Sequence, residues 1–120
     1  MSTLITANVS DGTDTVGTEY VVHGSAKAWV NFFGGTPLSV RNSFNASSIS
    51  DNGVGDYLTN YVNSFSAADY VCSTAGYDYT RGNAMAWPNS ASSNVNRVYN
   101  DAGALADPAV VQAAVHGDLA

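Results

Sequence analysis

Ala26-Lys-Ala-Trp-Val-Asn-Phe-Phe33, closed by Gly34-Gly35, and Ser43-Phe-Asn-Ala-Ser-Ser-Ile-Ser-Asp-Asn-Gly-Val-Gly-Asp-Tyr57 decide how this chain folds. The first run is aromatic and β-branched and stops at a glycine pair, as a strand stops at a turn. The second joins Ile49 to Asn52-Gly53, the strongest two-residue hairpin signal. Neither run carries a catalytic constellation.

Working outward, the same pattern recurs. Leu38 to Phe44 alternates, with Leu38, Val40 and Phe44 on one side and Ser39, Arg41 and Ser43 on the other. Pro37 fits the start of a strand. Ile49 opens a short strand, and Asp51 to Gly55 turns the chain. Asp56 to Val62 alternates again. Further strands are expected at Tyr70–Thr74, Tyr77–Tyr79, Ala84–Trp87 and Arg97–Tyr99, with a turn at Arg81-Gly82 and a polar loop from Pro88 to Asn96. Tyr20-Val-Val22 is a short apolar run ended by His23-Gly24, read with the strands. Asp107 to Gly117 pulls two ways. Asp107, Pro108 and Gly117 are a helix cap, first residue and stop. Val111, Ala113 and Val115 alternate with Gln112, Ala114 and His116, and a final strand would close a sheet, so a strand is preferred.

Turn signals every eight to twelve residues or so predict an all-β fold, a small antiparallel β-sandwich over residues 20–120. Residues 1–19 differ. Asp11 to Gly17 is turn-rich and without a sustained period, which suits a short N-terminal arm. Leu4, Ile5 and Val9 are its candidate docking residues.

Composition narrows the function. The chain has 120 residues, and 45% are hydrophobic, enough for one domain with a modest core. Charged residues make up 12%, about half the usual share. Glu19 and Lys27 are the sole Glu and Lys, so strong helix formers are scarce. A net charge of −6 with scattered Lys27, Arg41, Arg81 and Arg97 argues against nucleic acid and anionic membranes as partners. No apolar stretch reaches the length of a membrane span, and no signal peptide is expected at Met1–Thr6.

Chemistry-bearing motifs are sparse. Lone Cys72 has no intrachain partner, sits in an apolar run and reads as a small buried side chain. Ser25 and Lys27 share a strand face but start about 6.5–7 Å apart, too far for a nucleophile and its base. His23 and His116 lack a nucleophile elbow and are placed at strand ends. Asp11/Asp14 and Asp51/Asp56 lack EF-hand spacing and read as turn residues. Gly53 and Gly55 lack the context of a phosphate loop. Asn8-Val-Ser10 and Asn45-Ala-Ser47 match glycosylation acceptors by chance. No catalytic residue, metal or cofactor is expected. A polysaccharide hydrolase would need facing carboxylates about 5–9.5 Å apart, for which the sequence offers no strong pair. The aromatic residues exceed one small core's needs. Trp29, Tyr77, Tyr79 and Trp87 are candidates for exposed contacts, at a subunit interface or a sugar-stacking platform.

The run from Gly24 to Phe33 and from Val40 to Tyr57 resembles a β-rich module of tail-fibre and other virion structural proteins of tailed bacteriophages, of the marine phage type. Ser66-Ala-Ala-Asp-Tyr-Val-Cys72 continues the likeness, although the family often has a Pro-Asp-Ala-Asn-Tyr-like stretch there. Asp107 to Asp118 is similar to the module's last strand. The resemblance implies a structural virion protein, assembled in the host cytoplasm, a homotrimer that contacts other virion proteins and possesses no catalytic residues. A short tail-fibre or tail-tip component serving host adsorption is the first expectation. Capsid decoration (cement) and a carbohydrate-binding module that meets a host surface glycan are the alternatives. The chain is nearly all module, with a short arm where a long fibre has a shaft.

Overall fold

A computed structural model describes residues 1–77 and 83–120. The expected Tyr79 contact and the Arg81-Gly82 turn lie outside the described residues. The chain forms β1 (Asn8–Ser10), β2 (Thr15–Gly17), α1 (Thr18–Gly24), β3 (Ala26–Phe33), β4 (Ser39–Phe44), β5 (Ala46–Gly53), β6 (Asp56–Tyr61), β7 (Val71–Tyr77), β8 (Asn83–Ser90), β9 (Ser93–Tyr99) and β10 (Val110–His116). Two four-stranded antiparallel sheets, in the orders β4-β3-β10-β7 and β5-β6-β9-β8, make the sandwich. The fold is the small all-β sandwich that the sequence predicts. Asp107–Gly117 resolves as strand β10, in the middle of its sheet between β3 and β7.

The period of two explains the core. Ala28, Val30 and Phe32 of β3 point inward with Val111, Ala113 and Val115 of β10. They meet Tyr57, Tyr61 and Val98 from the other sheet, and Phe65 and Tyr70 extend the packing at one end. Phe32 and Tyr57 meet edge to face across the gap, their ring centres 5.1 Å apart.

Several elements differ from the sequence reading, each for a physical reason. Tyr20–Val22 lies in helix α1. Thr18 Oγ1 donates to the carbonyls of Thr6 and Ala7, and the Ser25 N–H and hydroxyl both donate to Val21 O, so both ends are tied locally. A bulge between β3 and β4 breaks the expected alternation. Val40 stands opposite inward Phe32, whereas Phe44 stands opposite outward Trp29. The hairpin expected over Asp51–Gly55 forms, with its two-residue turn at Val54-Gly55 instead of Asn52-Gly53. Gly55, at φ +64°, has no room for a Cβ against the backbone of Val98 and Ala106. The polar run Pro88–Asn96 is no loop, because it supplies the end of β8 and most of β9.

Asn94 and Asn96 of β9 face into the sandwich and are wholly buried with Thr59. They satisfy one another. Tyr61 Oη donates to Asn94 Oδ1 (2.7 Å), Asn94 Nδ2 to Asn96 Oδ1 (3.1 Å), and Asn96 Nδ2 to Thr59 Oγ1 (2.8 Å). Tyr57 Oη is 2.5 Å from Gly34 O, which follows β3, and 3.0 Å from Asp107 Oδ1. Asn45, at φ +55°, turns the chain from one sheet into the other. Its amide donates to Lys27 O and Asn63 O and accepts from the Asn63 N–H.

Replacing Tyr57 by Phe removes the Gly34 bond and leaves a buried carbonyl unpaired. The unfolding free energy in urea is expected to fall by about 1–3 kcal/mol. Tyr77→Phe, at an exposed ring, is expected to change it by less than about 0.5 kcal/mol.

Candidate functional site

The N-terminal 25 residues stand outside the sandwich. Hairpin β1–β2 and helix α1 contact each other, and α1 buries no residue. Leu4 is 85% exposed, Ile5 92% and Tyr20 68%. Val9, Val16, Val21 and Val22 are exposed as well. The three expected docking residues therefore sit together on an uncovered segment. Tyr20, Val21 and Val22 join them, although in sequence a valine pair reads as strand. The signal available was the Thr18-Glu19 start and the Gly24 stop.

One polar contact ties α1 to the sandwich among the described residues. His23 Nδ1 lies 2.7 Å from Asp118 Oδ1, both side chains being exposed. Around it is an open hollow of about 480 Å³ lined by His23, Ser66, Asp69, Tyr70, His116 and Asp118. Both histidines thus meet here, His116 at the end of β10 and His23 in the last turn of α1. Ser66 contributes its N–H, which donates to Asp118 O at 2.8 Å. The imidazole–carboxylate pair joins two segments. Among the described residues no three His, Cys, Asp or Glu side chains stand where they could share a metal ion.

The other sequence candidates fall into structural roles. Lys27 Nζ donates to Ser25 O (2.7 Å), while the Ser25 hydroxyl is turned to Val21 O. Asp11 Oδ1 accepts from the N–H groups of Thr13 and Asp14, which closes a turn and holds its carboxyl below the usual range. Asp56 pairs with Arg97 at 3.1 Å.

The aromatic candidates divide between the two outer faces. Trp29, 38% exposed, stacks on Phe44 on the β4-β3-β10-β7 sheet. Tyr77, 48% exposed, is on the same face but on β7, two strands away and at the other end. Trp87 is on the opposite side of the sandwich, half-buried, with the Arg97 guanidinium 5.3 Å over its ring. The described rings do not form one platform.

Burial controls the titratable groups of the core. It pushes the Cys72 thiol up to about 11 and raises the Tyr61 and Tyr70 phenols; at Tyr57, Asp107 adds to the same effect. Compared with protein-family models, with curated proteins and with solved structures, the chain matches none.

Each of these four groups has its folded value raised above its unfolded one. Their contribution is complete below the unfolded values, about 9 for the thiol and 10 for phenols, and is lost as pH climbs past them. On account of these four groups the urea midpoint is expected to be level from about pH 6 to pH 9 and to drop above it. Ultraviolet titration is expected to show three of the seven tyrosines ionising only as the protein unfolds.

Proposed function

We propose that the chain is a structural module of an assembled particle, in which a β-sandwich is docked by residues 1–19 and has no catalytic role. The observation that carries this reading is the uncovered N-terminal segment. Side chains such as Leu4, Ile5 and Tyr20 each gain about 1.5–3 kcal/mol when fully buried, and their own sandwich does not bury them. The sequence resemblance points to the virion of a tailed bacteriophage as the particle. A short tail-fibre or tail-tip position serving adsorption is preferred to capsid decoration. The partners are further copies of the chain, as a homotrimer, and neighbouring virion proteins. The division of Trp29, Tyr77 and Trp87 between two faces favours protein contact over a sugar platform.

Deleting residues 2–19 is expected to leave the β-sheet circular dichroism and urea transition in place, while incorporation into particles falls at least about tenfold, the equivalent of about 1.4 kcal/mol. Normal incorporation of the shortened chain contradicts the docking role.

A further inference from the structure

The sheet β4-β3-β10-β7 has an unusual outer face. Its four strands contain no Asp or Glu, in a chain of net charge −6. They hold Lys27 and Arg41, two of the four Lys and Arg residues. Trp29, Phe44, Val71 and Tyr77 are exposed on this face. Between them stand small or uncharged residues, Asn31, Asn42, Ser73, Ala75, Gln112 and Ala114. The N-terminal segment is the complement. It carries Asp11, Asp14 and Glu19 and no Lys or Arg, and it exposes Leu4, Ile5, Val9, Tyr20 and Val22.

On the assembly reading above, we infer that the outer face of β4-β3-β10-β7 receives the N-terminal segment of a second copy of this chain. Area supports this occupant. The chain exposes 7083 Å², where a compact monomer of 12.5 kDa exposes about 6200 Å². The surplus of about 900 Å² is close to the roughly 800 Å² that each partner loses in a stable interface. The radius of gyration, 16.4 Å, likewise exceeds the roughly 14 Å of a compact chain of this length, because the segment projects. Size matches too. Four strands span about 15 Å between outer axes, and seven helical residues about 10 Å. Opposite charge on the two surfaces selects this pairing and disfavours segment on segment or face on face. Release from the parent sandwich costs little, since the tether His23–Asp118 is a solvent-exposed pair.

The test uses two full-length variants, both with Cys72→Ala so that no native thiol competes. One carries Val22→Cys on the segment, the other Gln112→Cys at the centre of the face. Mixed in equal amounts and oxidised, they are expected to give a disulfide-linked heterodimer well above the twofold excess over either homodimer that random pairing gives, read by intact mass. Lys27→Glu with Arg41→Glu in the face variant is expected to lower the heterodimer yield about fivefold, and Asp14→Lys with Glu19→Lys in the segment variant to restore it. Absence of heterodimer from variants that retain β-sheet circular dichroism overturns the inference, as does a heterodimer yield indifferent to all four charge changes. The readout is made on purified protein. A positive cross-link with no particle incorporation would refute the virion reading and leave this contact standing.

Discussion

Two β-sheets that slide against each other make no defined structure, and here polar atoms inside the core fix their relative position. Tyr57 crosses from β6 to the Gly34 carbonyl beyond β3, against the edge of Phe32. At the other end Tyr61 starts a buried string through Asn94 and Asn96 to Thr59. Such groups are costly to desolvate alone and acceptable only when every one has a partner. That requirement specifies register. A slip of one residue along β9 would carry the asparagines out and leave Tyr61 and Thr59 unpaired. Asn45 adds a covalent corner between the sheets, with its amide bonded to Lys27 of β3 and to Asn63 just beyond β6.

The strands with apolar inner faces were legible from the residues alone. Ala28, Val30 and Phe32, and Val111, Ala113 and Val115, follow the period of two, and both runs are core. β9 was not legible, because its inner positions are Asn94 and Asn96, and asparagine in sequence looks like loop. Their partners, Tyr61 and Thr59, are some 35 residues away and known only from the fold. The bulge that turns Phe44 outward, and so makes its stack on Trp29, leaves no local trace either. Helix α1 was hidden by its valines, whose strand preference counts when a neighbouring strand exists to pair with. The candidate site was half legible. Leu4, Ile5 and Val9 were visible as an apolar arm, whereas the His23–Asp118 pair joins residues 95 apart in sequence.

Among the described residues the buried asparagines and tyrosines of the sandwich are paired, whereas the N-terminal segment buries almost nothing; on the proposed reading, neighbours complete the protein. A seven-residue helix is too short to be stable in water by itself, so α1 needs a surface to lie on. The acid-free face of β4-β3-β10-β7 offers one of complementary charge and apolar character. Assembly would then order the segment, cover Trp29 and Phe44, and remove the surplus exposed area in one step.

Hydrogen exchange measured across a dilution series tests this most directly. In the assembled state the amides of Thr18–Gly24 are expected to be protected. On dilution to monomer they are expected to exchange freely, while β3, β6, β9 and β10 keep their protection. Protection of α1 that is the same at every concentration would show that the segment is covered within its own chain, and would contradict the account.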